Sequence, residues 1–195
     1  MPMNIYLPDK SLRELPDGSN GYDLANDIGP GLAKSAVAIE VNGIQKDLND
    51  VLEDKSKVSI ITIDSKEGID IMRHTLAAQV LAKAIKNLYP ESKLAIGPTI
   101  ENGFYYDVEC PKTISVDDLE SIENEMHKII KLKSSITKRL LAKNDALKVF
   151  KSLDETYKQE IINESAQDDE FQLYYQDDED FVDLCRGPHL PSLSF

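Results

Sequence analysis

A cysteine and a histidine near the end of the chain form the first pair of residues that could do chemistry. Cys185 and His189 stand four positions apart in FVDLCRGPHL, in a chain with two cysteines and three histidines. A helix would place both side chains on one face, but Gly187 and Pro188 between them are incompatible with a regular helix. We therefore expect Cys185 to end a strand and His189 to project from a stiff turn.

His74 is the histidine best placed to join this pair. It lies in IMRHTLAAQVLAKAI, a predicted helix in which Ala77 and Ala78 are its neighbours three and four positions on. These small side chains leave space beside the imidazole. His127 has polar neighbours and is expected at the surface, whereas Cys110 is expected to be a buried or half-buried thiol.

Three kinds of site are compatible with His74, Cys185 and His189. They could supply three zinc ligands with an open fourth position. They could line a pocket that polarises water or holds an ester, or pair a cysteine nucleophile with a histidine base. Spacing does not choose among these. Residues 95–107, AIGPTIENGFYYD, predict either a tight loop entering a strand or a backbone-lined pocket wall.

The elements that must position these residues change in character along the chain. The early part predicts short strands at 4–8 and 11–15, a helix at 21–28, a hairpin around Asn42-Gly43 and a strand at 57–63. These elements make a small α+β domain, residues 1–63.

The rest of the chain, residues 64–195, predicts a second α+β domain. Its helices are predicted at 69–88, capped by Asp64 and Glu67, then after Ser115, and at 146–153 and 156–163. Its strands are predicted at 103–109, 134–141, 171–176 and 181–185.

The charge of the chain limits its partners. With 195 residues, 41% of them hydrophobic, the chain can bury a real core, and 22 basic against 35 acidic residues give a net charge of −13. Such a chain repels polyphosphate, and the acidic runs at 166–181 are expected in solvated loops. We find no apolar run of membrane-spanning length and no signal-peptide pattern, and we expect a cytoplasmic, reducing location without membrane contact.

Several motifs together resemble a known family. DIGPGLAKSA, VNGIQKDL and VSIIT resemble the TGS module, a ubiquitin-like β-grasp fold, that opens bacterial threonyl-tRNA synthetases. RHTLAAQVLAKAI, KLAIGPTIENGFYYDV, TYK and FVDLCRGPHLPSLSF resemble the editing domain that follows it, which is shared in outline with alanyl-tRNA synthetase. The resemblance covers essentially the whole chain in the family's order. It implies a β-grasp domain followed by an α+β editing domain, truncated at its C-terminal end.

The resemblance also implies roles for matching residues. His74 matches the first histidine of the family's HxxxH motif, and Cys185 and His189 match its CxxxH motif across one cleft. Lys158 and Asp183 match residues tied to hydrolysis. The residues implied to contact substrate are Arg73, Gly97, Pro98 and Tyr105. The second histidine of HxxxH falls on Ala78, so a four-ligand zinc site is not expected.

The function implied is removal of serine from threonine tRNA. A missing methyl group gives a synthetic site only about 1–3 kcal/mol of discrimination, so a second site must hydrolyse the seryl ester. Water would attack the carbonyl, with His74, His189 or Lys158 as base or polarising group, Asp183 orienting Lys158 or the substrate amine, and Cys185 as a wall. No metal is expected here, and a three-ligand zinc site is the alternative.

Other parts of the reaction are expected to lie outside this chain. The class II synthetase motifs are absent, so ATP, Mg and Zn use, tRNA charging and homodimer formation are assigned to missing domains, which would also deliver the acceptor end. Two alternatives remain open. The first is a silent editing domain that only shapes the synthetase and guides tRNA, and the second is a regulatory module whose TGS portion contacts RNA or a small ligand.

Overall fold

The computed structural model describes residues 2–166, 170–177 and 180–195. Residues 167–169 and 178–179, which belong to the acidic runs expected from the sequence to lie in solvated loops, fall outside these described residues. Within the described ranges, every helix is too short or too polar to cross a membrane.

Residue contacts divide the chain into two compact units. The first comprises the described residues up to Met72, together with Gly187–Pro191 and Phe195. The second comprises the described part of Arg73–Arg186, together with Ser192–Ser194. The predicted domain boundary between residues 63 and 64 stays a prediction. Both units combine helices and strands, which confirms the α+β class.

A mixed sheet forms the centre of the first unit. Its strands and helices are β1 (Met3–Tyr6), β2 (Leu12–Leu15), α1 (Gly21–Ile28), α2 (Pro30–Ser35), β3 (Ala36–Val41), β4 (Ile44–Asp47) and β5 (Val58–Thr62). Strand β3 lies between β4 and β5 and is antiparallel to both, while β1 pairs antiparallel with β2. A parallel bridge from Tyr6 to Lys57 joins β1 to the start of β5. The strand order β2-β1-β5-β3-β4 is that of the predicted β-grasp fold.

Local sequence signals explain these elements. Asn42 and Gly43 both have positive φ, as a tight hairpin turn requires. Asn20 and Asp23 form a capping box at the start of α1, and Gly29 ends that helix. Apolar side chains from α1 and from the strands then share one core, which includes Ile5, Leu24 and Ile39 at 0% exposure.

The long predicted helix at 69–88 is confirmed but is interrupted. It consists of α3 (Lys66–Thr75), a π-helical segment Leu76–Leu81, and α4 (Ala82–Leu88). In the π-helical segment the N–H of Ala82 donates to the carbonyl of Ala77, five residues back. Ser65 caps α3 by accepting a hydrogen bond from the N–H of Gly68 at 3.0 Å, so the predicted Asp64–Glu67 capping box is wrong. Segments of π-helix are frequent at functional sites.

The predicted strand at 103–109 is wrong as one continuous strand, because the structure has two separate short strands in this range. The residues 93–109 form an irregular hairpin with four short strands, β6 (Lys93–Leu94), β7 (Thr99–Ile100), β8 (Gly103–Phe104) and β9 (Val108–Glu109). Between them, the Ala95 N–H donates to the Asp107 carbonyl at 3.0 Å, and the Asp107 N–H donates to the Ile96 carbonyl at 2.8 Å. These bonds hold the two arms together where the strands are interrupted.

An antiparallel sheet with helices on both faces completes the second unit. Its elements are α5 (Leu119–Lys131), β10 (Ile136–Ala142), α6 (Lys143–Ser152), α7 (Thr156–Glu164), β11 (Glu170–Gln176) and β12 (Phe181–Leu184). The strand order is β10-β11-β12. Leu173 and Tyr175 pack with α6 and α7, whereas Tyr174 packs on the other face with Ile129 of α5. The alternation along β11 thus supports helices on both sides.

Candidate functional site

A buried carboxylate on β12 lies at the centre of the candidate site. Asp183 is 1% exposed. One of its oxygens, Oδ1, lies 2.7 Å from Nζ of Lys158 and accepts a hydrogen bond from the Leu184 N–H at 2.8 Å. The other oxygen, Oδ2, accepts a hydrogen bond from the Tyr106 hydroxyl at 3.0 Å. Three donors therefore converge on this carboxylate.

Lys158 and Tyr106 also contact each other, so the three side chains form a closed group, the Lys–Asp–Tyr cluster. Lys158 projects from the first turn of α7 and is 2% exposed. Its Nζ donates to the Tyr106 hydroxyl at 3.2 Å and lies 5.7 Å from the centre of the Tyr106 ring. The cluster therefore joins a helix, a strand and the 93–109 hairpin.

Burial controls the protonation of this cluster. Removal from water raises the pKa of Asp183, while the Lys158 ammonium and the hydrogen bonds from Tyr106 and Leu184 oppose that rise. Burial, followed by the negative charge of Asp183, raises the pKa of the Tyr106 phenol far above its ordinary value. Tyr106 therefore keeps its proton and acts as a hydrogen-bond donor to the carboxylate.

Gly97 is needed where it stands because Tyr106 packs directly on it. A Cβ atom at Gly97 would overlap the Tyr106 ring, lying 2.9 Å from its Cε2 and 3.0 Å from the Tyr105 carbonyl oxygen. The adjacent Pro98 carbonyl accepts a hydrogen bond from the Tyr105 N–H at 3.3 Å. The Gly-Pro step thus shapes the wall that holds Tyr106.

His74 and Cys185 form a second polar pair in the same unit. His74 lies in the last turn of α3, immediately before the π-helical segment, and Cys185 directly follows β12. Nε2 of His74 is 2.7 Å from Sγ of Cys185. Both side chains are half-buried. Asp183 and Cys185 are two positions apart at the end of one strand, so they project toward the same face.

The other predicted contact residues surround the hairpin. Nη1 of Arg73 donates to the Glu101 carbonyl at 3.0 Å, at the hairpin turn. Tyr105 is 50% exposed, and Ala78, one turn after His74, is 4% exposed. His127 is exposed and Cys110 half-buried, which confirms both expectations.

His189 belongs to the first compact unit. Its side chain is 1% exposed, and its N–H donates to Oδ1 of Asp47, at the end of β4, at 3.0 Å. The peptide between Gly187 and Pro188 is cis. The predicted convergence of His189 with His74 and Cys185 stays a prediction.

The sequence reasoning missed Tyr106 and chose its neighbour Tyr105. The alternating pattern of GFYYDVE could have identified Tyr106. Tyr105, Asp107 and Glu109 occupy every second position, and all three are exposed. Tyr106 has the opposite parity, together with Phe104, and both are half-buried. Because the polar residues occupy the alternate positions that face solvent, the pattern predicts that Tyr106 points toward the interior.

Comparison with known proteins gives a consistent picture. Residues 3–62 match the family model described as "TGS domain". The chain is 45% identical over 189 residues to the threonine--tRNA ligase of Acidithiobacillus ferrooxidans (strain ATCC 53993 / BNL-5-31), covering 97% of this chain and 29% of that protein. It is 46% identical over 193 residues to the threonine--tRNA ligase of Citrifermentans bemidjiense, covering 99% of this chain and 30% of that protein. The chain therefore spans less than a third of the length of these relatives.

Proposed function

We propose that this chain, which contains a TGS domain and is homologous over nearly its whole length to part of threonine--tRNA ligases, hydrolyses seryl-tRNA(Thr). The bond broken is the ester between serine and the terminal ribose. Water supplies the hydroxyl of the serine carboxyl group and a proton for the ribose oxygen. Serine and uncharged tRNA are the products.

The Lys–Asp–Tyr cluster is the observation that carries this proposal. A buried ion pair adds little to stability, because desolvation of both charges offsets their attraction. Lys158 and Asp183 are nevertheless 2% and 1% exposed and 2.7 Å apart. Burial also raises the pKa of Asp183; titratable groups with perturbed pKa values cluster at functional sites, and the His74–Cys185 pair lies in the same unit.

In this mechanism each polar side chain has a different role. His74, whose Nε2 lies 2.7 Å from Sγ of Cys185, is the general base that removes a proton from the attacking water. Lys158 donates a hydrogen bond to the carbonyl or leaving oxygen, where negative charge develops. Asp183 holds Lys158 and receives the substrate ammonium, and Tyr106 fixes the carboxylate. The resemblance adds His189 as a second imidazole.

Discrimination against threonine would be steric. The extra methyl of threonine would displace either the attacking water or the carbonyl from a tight, rigid wall. Gly97, Pro98 and the rings of Tyr105 and Tyr106 supply such a wall, and Arg73 holds the hairpin turn beside it. Hydrolysis of threonyl-tRNA(Thr) by the chain is therefore expected to be much slower.

A metal ion is not required by this mechanism, because an imidazole base and a polarising ammonium can activate water. His74 and Cys185 do carry donor atoms that zinc accepts. A zinc site that adds His189 is therefore the alternative, and stoichiometric zinc in the purified chain would reveal it. ATP, Mg and Zn for synthesis of threonyl-tRNA, and a homodimer, are proposed for domains of a longer synthetase.

The net charge of −13 affects how substrate reaches the site. Phosphate contacts supply much of the affinity of tRNA-binding proteins, and an acidic chain makes few of them. We therefore expect weak tRNA binding by this chain, with the acceptor end delivered by other parts of a synthetase. Deacylation should be measurable when substrate is in excess.

Ala78 favours a second candidate function. The resemblance places a histidine at this position, where the structure has a small, buried side chain. A chain that lacks this imidazole could serve as a hydrolytically silent domain that shapes a synthetase and guides tRNA. Because one general base contributes about 100–10,000-fold, its loss could slow the step without removing it.

Deacylation of seryl-tRNA(Thr) by the chain decides between the two candidates. Release of labelled serine is measured for the wild type and for the His74→Ala and Ala78→His variants, with threonyl-tRNA(Thr) as the second substrate. The matched control is His127→Ala, which removes an exposed imidazole on α5.

The hydrolytic function predicts that the wild type and His127→Ala release serine faster than His74→Ala, and that Ala78→His equals or exceeds the wild type. If the wild type releases serine no faster than His74→Ala and the enzyme-free control, the hydrolytic function is wrong. The silent domain is then the better description.

A further inference from the structure

One buried carboxylate of the second unit has no role in the proposed reaction. Glu155 is 4% exposed and immediately precedes α7. Its Oε1 lies 2.6 Å from Nζ of Lys86 on α4, and its Oε2 accepts a hydrogen bond from the Leu94 N–H of β6 at 2.8 Å. Oε1 thus contacts α4 through the ion pair and Oε2 contacts β6 through the hydrogen bond, so Glu155 connects both elements to the start of α7.

The elements that Glu155 connects are those that carry Lys158 and Tyr106. Lys158 lies three residues after Glu155, within the first turn of α7. Leu94 pairs with Val108 across the base of the 93–109 hairpin, and Tyr106 lies two residues before Val108. Glu155 thus fixes the helix that carries the ammonium relative to the hairpin that carries the phenol.

The neighbouring carboxylate provides a contrast. Asp154 forms an ion pair with Lys93, but its side chain is 81% exposed. An exposed pair of this kind contributes little. Two adjacent carboxylates, each paired with a lysine, therefore differ mainly in burial and in the hydrogen bond to Leu94.

We propose that Glu155 is a positioning residue, which sets the distance of Lys158 and Tyr106 from Asp183 and thereby the rate of ester hydrolysis. This inference rests on the proposed function. Its physical basis is that a displacement of about 1 Å in a positioned group can cost roughly 100-fold in rate.

Steady-state deacylation of seryl-tRNA(Thr) by the full chain gives the first test. Glu155→Gln keeps the shape of the side chain and an oxygen for the Leu94 N–H but removes the charge that holds Lys86. We expect kcat to fall about 10–100-fold with little change in KM, whereas Asp154→Asn leaves both unchanged. In a Lys158→Ala background, Glu155→Gln should cause no further loss. Equal losses in both backgrounds would overturn the inference.

A labelling experiment tests the inference without any activity. The folded chain is acetylated with a lysine reagent, and the modified fraction of each lysine is read by mass spectrometry. Glu155→Gln should increase labelling of Lys158 severalfold, while Lys83, which is 4% exposed in the same unit, stays protected. A rise at both lysines would show general loosening, and no rise at Lys158 would show no positioning, so either result overturns the inference.

The two experiments also separate the two proposals. If the wild type does not hydrolyse seryl-tRNA(Thr), the proposed function fails, and the labelling result still shows whether Glu155 positions Lys158. If the wild type is active and Glu155→Gln is equally active, positioning by Glu155 is wrong while the proposed function stands.

Discussion

The two compact units differ in what their cores contain. Among the described residues, the buried polar side chains of the first unit are Ser19, Ser56 and His189. The buried charged side chains of the described residues all belong to the second unit and are Lys83, Glu155, Lys158 and Asp183. A fold gains little from burying charges. The first unit therefore has the core of a scaffold, whereas the second carries groups that its fold does not require.

The packing around each sheet agrees with this difference in buried charge between the two units. In the first unit, the β-grasp core is filled by apolar side chains from α1, α2 and the strands. In the second unit, side chains of β11 and β12 pack against helices on both faces, and the charged residue Asp183 lies buried on β12. Preorganised charge of this kind is what electrostatic catalysis uses.

The largest effect is expected from removing the Lys158 ammonium. Lys158→Met leaves Asp183 as a buried charge without its ion-pair partner, which costs about 3–5 kcal/mol of unfolding free energy. The same change should lower seryl-tRNA(Thr) deacylation by about 100–10,000-fold. Urea unfolding and serine release measure the two effects.

The control for this change is Lys148→Met, which removes an exposed lysine paired with Asp145 and should cost less than about 1 kcal/mol. A double variant, Lys158→Met with Asp183→Leu, sharpens the comparison further. It should regain most of the lost stability but none of the activity, because an apolar pair can replace a buried ion pair in the fold. Recovery of activity in the double variant would contradict the proposed role of the ion pair.

The matching change in the first unit should affect stability alone. Leu24→Ala removes a fully buried side chain from the core of α1 and the sheet and should cost about 2–5 kcal/mol. The deacylation rate, measured well below the unfolding transition, should stay within about twofold of the wild type, because a scaffold core makes no contact with reacting groups. A large loss of kcat in the folded variant would break the comparison.

A smaller effect is expected from a change at Gly97, which packs against Tyr106 of the Lys–Asp–Tyr cluster. Gly97→Ala places a methyl group against the Tyr106 ring, and overpacking of this kind costs about 1–3 kcal/mol. Because the ring must shift, the hydrogen bond from Tyr106 to Asp183 should weaken and kcat should fall. Gly103→Ala is the control, since nothing lies within 4 Å of its Cβ position. Equal behaviour of the two variants would show that Tyr106 has no influence on the reaction.

Much of the fold could be predicted from the sequence, because its signals are local. The Asn42-Gly43 turn, the end of α1 at Gly29 and the helix cap at Ser115 each depend on a few neighbouring residues, and each is found as expected. The π-helical segment at 76–81 could not be predicted, since its residues have ordinary helix-forming patterns. The 93–109 hairpin was also missed, because each of its four strands is two residues long and too short to show an alternating pattern.

The candidate site was predictable in its residue types but not in its grouping. The resemblance gave Lys158, Asp183, His74 and Cys185, and the structure brings them together as two pairs. Spacing could not reveal that Tyr106 completes one pair, or that Glu155 connects the elements beneath it. Such contacts depend on tertiary packing between segments about 50–80 residues apart, which no local pattern encodes.

The smallest effect is expected from the half-buried carboxylate of Asp118, which should respond to pH in the opposite sense to the fully buried Asp183. The hydrogen bonds that Asp118 accepts from Lys112 and Ser115 lower its pKa below the ordinary value of 3.8. Its contribution to stability is therefore present above that value and is lost as the pH falls through the lowered pKa. Asp118→Asn should reduce the unfolding free energy slightly at neutral pH and progressively less in acid, as measured by urea unfolding at several pH values. Burial raises the pKa of Asp183, so its contribution instead falls as the pH rises from the ordinary value toward the raised one. If the Asp118→Asn difference grew in acid, the assignment of its pKa to these hydrogen bonds would be wrong, and the contrast between Asp118 and the fully buried Asp183 would lose its support.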